Sequence, residues 1–289
     1  MRFHLSTAFI PTRDALEICG PAEEFGFSGM YLSDHLFYPR ELQSKYTYTD
    51  DGSPTWTPDA DWPDTWCLIS AMAARTTRML FTTGVYIAPA RDLITVAKAV
   101  GTAAVIAEDR VRLGIAAGWC REEFELTGQD FDSRGRRLND MIPALRALWR
   151  PGWVEYHGEY YEVPPMRMNP VPSAPVPILA GGLTDIAMRR ATALCDGWVS
   201  GPAPTLDDTW RNIARLNRFR EESGRADEPF LVYMAVAAIL EPNLLEDLAG
   251  AGVTDLVTAP WAVAGKAGYA ASVEEKLDHC ARFAASTLR

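Results

Sequence analysis

Short apolar runs of strand length alternate along the chain with longer segments whose apolar residues recur at helical spacing. Arg2 to Ile10 reads as a first strand, ended by Pro11 and Thr12. Asp14 to Phe25 then puts Leu16, Ile18, Ala22 and Phe25 on one side of a helix that Gly26 closes. Gly29 to Ser33 is a second strand, which completes a β-α-β unit. The same pattern predicts strands over 78–86, 110–116, 176–180 and 197–200, another within 230–240 and a last over 254–258. Helices are predicted over 64–75, 92–107, 140–149, 184–194, 206–222, 244–251 and 273–285, with a short one starting at Glu122-Glu123-Phe124.

Two stretches break the rhythm. Residues 36–60 carry Tyr38, Tyr46, Tyr48 and Trp56 among prolines and aspartates with no period. A loop of that length inside a compact domain is functional or disordered, and its aromatic content favours a lid or pocket wall. Residues 153–163 alternate around His157-Gly158-Glu159 as a hairpin, and a proline-rich connector follows over 164–177. Eight strands alternating with helices predict an α/β protein, a (β/α)₈ TIM barrel forming one domain over 1–289, with a long loop after strand 2 and a hairpin insertion before strand 5. A doubly wound open sheet fits less well, because the first strand–helix junction, Ile10 to Asp14, lacks a G-x-G-x-x-G turn.

Composition narrows the partners. A formal net charge of −10 argues against nucleic acid or an anionic membrane surface, and 48% hydrophobic residues mark a globular chain. The five cysteines are widely spaced with no C-x-x-C, and the four histidines form no H-x-H or H-E-x-x-H, so neither a disulfide framework nor a metal site is expected. Met1 to Leu5 opens no long apolar run, no membrane-length apolar stretch follows, and a soluble cytoplasmic protein is expected.

In a parallel barrel the C-terminal strand ends share one mouth. Here they are Phe9 and Ile10, Asp34-His35, Thr83-Gly84-Val85-Tyr86, Ala116-Ala117-Gly118-Trp119, Gly181-Gly182 and Ser200-Gly201. The second strand delivers an acid and an imidazole together, and imidazole is the side chain that titrates near neutral pH. Glycines at three of these turns permit close backbone approach to a ligand, and Gly181-Gly182 ahead of a helix capped by Thr184 suits a phosphate. With no G-x-S-x-G and no base beside Cys120 in sequence, nucleophilic catalysis is poorly supported. The pattern suits a flat phosphorylated cofactor that carries the difficult chemistry.

Several stretches, in order along residues 1–200, resemble the bacterial luciferase-like superfamily, and most closely its coenzyme F420-dependent oxidoreductase branch. They are Ala22 to Phe27 with Leu32 to His35, Arg75 to Val85, Leu113 to Phe124, Ser133 to Leu138, and Pro177 to Gly182 with Asp196-Gly197-Trp198. The resemblance implies a barrel that is often a homodimer, here through the helices at 64–75 and 92–107. It implies Asp34 and His35 beside a deazaflavin ring as catalytic and cofactor-binding residues, with His35 exchanging a proton. It implies a non-proline cis peptide near Gly84-Val85 against that ring and a cofactor phosphate at Gly181-Gly182. Thr83, Ala117 and Gly118 complete the expected cofactor contacts; Phe9, Trp56 and Trp119 form the expected substrate pocket. Some F420-dependent sugar-phosphate dehydrogenases carry a glutamate where Trp119 stands, so the resemblance implies an apolar substrate wall here. The expected reaction is hydride transfer between F420 and a small organic substrate. The alternatives are an FMN-dependent monooxygenase using reduced flavin and oxygen, and a non-catalytic flavin- or deazaflavin-binding protein. Arg134, Arg136 and Arg137 are candidates for the acidic tail that distinguishes F420 from FMN.

Overall fold

The computed structural model describes residues 1–288. In chain order its elements are β1 (Arg2–Ser6), α1 (Thr12–Phe25), β2 (Gly29–Leu32), α2 (Thr65–Ala73), β3 (Leu80–Thr83), α3 (Leu93–Ile106), β4 (Val111–Ile115), α4 (Arg121–Leu126) and α5 (Arg134–Leu148). Then come β5 (Val154–His157), β6 (Glu162–Met166), β7 (Ile178–Gly181), α6 (Asp185–Leu194), β8 (Gly197–Val199), α7 (Leu206–Glu222), β9 (Leu231–Met234) and α8 (Pro242–Gly250). The chain finishes with β10 (Asp255–Thr258), α9 (Lys266–Tyr269) and α10 (Val273–Thr287). Eight strands pair in parallel and close in the order β1-β10-β9-β8-β7-β4-β3-β2, a (β/α)₈ barrel; β5 and β6 form the separate hairpin. Among the described residues, no helix is long and apolar enough to cross a membrane.

Polar residues just ahead of the apolar runs start the helices. Asp64, Asp92, Thr184 and Thr205 each accept a backbone N–H from the first turn of α2, α3, α6 and α7, and Ser272 with Glu275 forms a capping box on α10. Gly26, in the left-handed region, closes α1. The strands are shorter than their apolar runs. β1 stops at Ser6, and the chain bends through Phe9, whose φ of +66° is an uncommon backbone shape for a side chain of that size. α5 begins six residues before the predicted Asp140, because its polar opening stretch turns Arg137 inward together with Leu138.

The barrel interior has two chemical levels. Near the N-terminal strand ends lies a polar cluster. Asp255 accepts from Arg2 Nε and Nη2, both at 2.8 Å, from His4 Nε2 at 2.7 Å, from Arg112 at 3.3 Å and from Thr254 Oγ1 at 2.6 Å. The phenol of Tyr233 joins this cluster through Arg112 and Thr82. Nearer the mouth the filling turns apolar: Tyr31, Leu179, Val199 and Tyr233, with Val85, Leu231 and Val257 against them. The layer nearest the mouth is therefore a packed hydrophobic floor.

Candidate active site

The floor is shaped by two glycines that leave no room for a side chain. A Cβ on Gly84 would fall 1.6 Å from Cζ of Tyr31, and one on Gly181 would fall 2.4 Å from Cγ1 of Val85. The backbone after β3 thus lies on the Tyr31 ring, and Val85 reaches across to the end of β7. The Gly84–Val85 peptide is cis, as the resemblance implied. Gly182 has a φ of +122°, and its carbonyl accepts the indole N–H of Trp198, which fixes the turn ahead of α6. Thr83 spends its hydroxyl on the Gly114 carbonyl at 2.7 Å, so it braces β3 against β4 rather than offering a free donor. Gly118, at φ +85°, packs against Ile87 and Phe124, and half-buried Ala117 precedes it.

Asp34 and His35 leave β2 side by side and take different roles. Asp34 is buried, and its two oxygens receive Arg91 Nη1 and Nη2, both at 2.8 Å, and the Ile87 amide at 2.9 Å. Burial pushes its carboxyl up from the ordinary range, against the pull of the Arg91 guanidinium. With both oxygens occupied, Asp34 holds the segment after β3 in place. His35 instead lies among aromatic rings. Its ring centroid is 4.8 Å from that of Trp56, 4.8 Å from Trp62 and 5.7 Å from Trp119. Its Nδ1 lies 3.0 Å from Oε1 of Glu123, a buried carboxylate that also accepts the Leu36 amide at 2.8 Å.

The long segment after β2 builds the rest of the wall. Phe9 stacks on Trp56 at 6.1 Å and meets Trp62 and Tyr269 edge-on, while Tyr46 touches Tyr48, Trp56 and Trp119. Tyr48 lies against the backbone at Gly201, past the end of β8. The three residues expected to form a substrate pocket, Phe9, Trp56 and Trp119, thus belong to one continuous aromatic box around His35. The start of α4 clamps this segment. Beside Glu123 on Leu36, Glu122 accepts the amides of Gln43 at 2.7 Å and Ser44 at 3.1 Å, and Ser44 Oγ accepts the Arg121 amide at 2.9 Å. Burial alone would raise the Glu122 carboxyl, but these hydrogen bonds, led by that of Ser44, hold it at about 2. The thiol of Cys120 is pushed up to about 12, chiefly by burial, so it is no nucleophile in this wall.

Arg134, Arg136 and Arg137 are each engaged by other residues of the protein. Arg137 is buried and donates to Gln129, Asp130, Ser133 and Pro89; Arg134 donates to the Gly118 and Phe131 carbonyls and covers the Phe131 ring; Arg136 donates to the Tyr160 hydroxyl on the hairpin side. Two of the three therefore bind backbone carbonyls of the scaffold. Sequence reasoning missed Glu123 and Trp62 as neighbours of His35. Glu123 stands 88 positions away; its only local signal was an acidic pair opening a short helix.

Comparison with known proteins places these features in a wider set. The model of the luciferase-like monooxygenase family matches residues 2–278. An uncharacterised protein of Mycobacterium tuberculosis is 36% identical over 257 residues, covering 89% of this chain and 88% of that protein. An F420-dependent glucose-6-phosphate dehydrogenase of Amycolatopsis mediterranei is 28% identical over 191 residues, 65% of this chain and 53% of that protein. Among solved structures, the monooxygenase RslO1 of Streptomyces bottropensis superposes with a TM-score of 0.70 at 17% identity, covering 100% of this chain and 99% of that one, a likeness of fold.

Proposed function

Since the chain belongs to the luciferase-like monooxygenase family, we propose that it is an oxidoreductase that moves a hydride between coenzyme F420 and a small, uncharged organic substrate at the C-terminal mouth of the barrel. The observation that carries this reading is the position of His35, held within an aromatic box beside an apolar floor. When bound, the deazaflavin supplies the hydride chemistry. The residues present suit such a group. Val85, Tyr31 and Val199 offer a flat apolar rest, Gly84 and Gly181 keep it free of side chains, and Gly182 with the start of α6 suits a phosphate. His35 holds or releases the proton that accompanies hydride movement. Phe9, Trp56 and Trp119, with Tyr46 and Trp62, exclude water and bind the substrate's apolar surface. The F420-dependent relative lends support to the choice of cofactor.

One observation favours a second reading. Arg134 and Arg137 are committed to the scaffold, which removes the basic cluster that would select the acidic tail of F420. On that count reduced FMN with oxygen is the competing chemistry. Titration of the protein with F420 and, separately, FMN, followed by tryptophan fluorescence, decides between them. Tight F420 binding is expected; FMN preference moves the assignment to a monooxygenase, and binding of neither refutes both. A matching His35→Ala variant is expected to keep cofactor affinity and lose turnover, whereas equal loss of both would reduce His35 to a binding residue. Self-association through α2 and α3, the latter exposing Ile94, Val105 and Ile106, belongs to the same reading and is checked by sedimentation.

A further inference from the structure

We propose that Glu123 is a positioning residue that fixes His35 as its Nδ1–H tautomer, so that Nε2 is the nitrogen presented to the substrate. The inference rests on the reading of His35 as the proton carrier. Oε1 of Glu123 already accepts the Leu36 amide at 2.8 Å, so it acts as an acceptor, and the same oxygen lies 3.0 Å from His35 Nδ1. The proton of a neutral imidazole must then sit on Nδ1. Nε2 makes no hydrogen bond among the described residues and is not sealed from solvent, while the side chain as a whole is only 11% exposed. The ring therefore keeps some access to solvent at Nε2.

Three further features keep the ring from turning over. Trp56, Trp62 and Trp119 flank it at centroid distances of 4.8, 4.8 and 5.7 Å. The neighbouring carboxylate of Asp34 is taken up by Arg91 and Ile87, so it does not compete for the imidazole. Glu123 is itself 1% exposed and held by the Leu36 amide, which belongs to the residue directly after His35. Backbone and ring are thus gripped by one oxygen. An imidazole oriented through one nitrogen by a buried carboxylate, with the other nitrogen free, is the arrangement general base catalysis requires.

The test reads the tautomer directly. Full-length protein labelled with ¹⁵N-histidine is examined without ligand at about pH 8, above the ordinary imidazole pKa, and the His35 signals are assigned by their loss in His35→Asn. The wild type is expected to show a protonated Nδ1 and a bare Nε2. Glu123→Gln, which keeps the accepting oxygen, should retain that pattern; Glu123→Leu should lose it and fall to the mixture, rich in Nε2–H, of free imidazole. In a hydride-transfer assay the Leu variant should lose up to about 10⁴-fold in turnover, the scale seen when a catalytic imidazole is left in the wrong tautomer, with F420 quenching unchanged. A wild-type Nε2–H signal overturns the proposal even if the Leu variant fails to fold, and so does an Nδ1–H signal that survives in a folded Leu variant. Failure of the wild type to bind either F420 or FMN would sink the proposed function and leave the tautomer result standing, so the two are judged separately.

Discussion

Replacing Asp34 by Asn separates a scaffold role from a catalytic one. The change removes the charge that faces Arg91 while keeping the size of the side chain. Arg91 is only 13% exposed at its side chain and gives both terminal nitrogens to Asp34. Breaking such a buried pair costs about 3–5 kcal/mol, because the surviving charge keeps its desolvation penalty. An unfolding entropy of about 2.1 cal/mol/K per residue over 289 residues gives about 0.6 kcal/mol/K, so Tm should fall by about 5–8 °C. The companion variant, His35→Gln, breaks no pair of buried charges and should melt close to the wild type while losing turnover. Differential scanning calorimetry gives the first number and a hydride-transfer assay the second. If Asp34→Asn melts within about 1 °C of the wild type and loses only turnover, the carboxylate is a working part of the chemistry and the scaffold assignment is wrong.

Two more outcomes follow from the floor and from the level beneath it. In Gly181→Ala the new methyl would stand 2.4 Å from Val85, so Val85 must leave the floor at a strain of about 1–3 kcal/mol; cofactor affinity should fall about tenfold, and unchanged quenching would remove Val85 from the binding surface. The polar cluster makes the fold acid-sensitive in two stages. Burial pushes the His4 imidazole down despite Asp255, and its Nδ1 has no partner among the described residues, so the neutral form is the stable one. A folded value below the unfolded one of about 6.5 means stability that is full above that pH and lost as pH falls beneath it. Burial would raise Asp255, but its bonds from His4 and Arg2 hold it well below the carboxylate range, so its contribution is present above about pH 4 and lost below. Urea midpoints measured down the pH scale should fall first under about pH 6.5 and again under about pH 4; His4→Asn should abolish the first stage, and a flat wild-type profile would refute the account.

The barrel was legible because most of its strands sit in short, largely apolar runs bounded by turn residues, a signal that survives without any long-range information. Helix α7, Leu206–Glu222, matched its prediction to the residue: Thr205 caps its start, and Ile213, Leu216 and Phe219 turn inward at helical spacing. Helix α5 was cut short in the reading because Arg137 turns inward and finds its partners in carbonyls and Gln129, so polarity there does not mean exposure. The mouth was legible as a set of strand ends, and His35 with Trp56 and Trp119 does converge there. The division of labour between Asp34 and His35 was not, since it depends on Arg91 and Glu123, 57 and 88 positions further on. Nor did the spacing of the histidines show that His4 would lie inside the barrel against Asp255, 251 positions away.

The twin acids at the start of α4 divide the long segment after β2 into two parts. Glu123 fastens it at Leu36 and Glu122 at Gln43 and Ser44, so the stretch between these anchors is a fixed span whose length one turn of helix dictates. An inserted or deleted residue there would pull one carboxylate off its amide and twist the imidazole with it. From Lys45 to Asp61 no such clamp from α4 applies, and that is where Tyr46, Tyr48 and Trp56 project. On the proposed function, a change of length or ring content in that part would alter the substrate wall while leaving Leu36, Gln43 and Ser44 on their carboxylates.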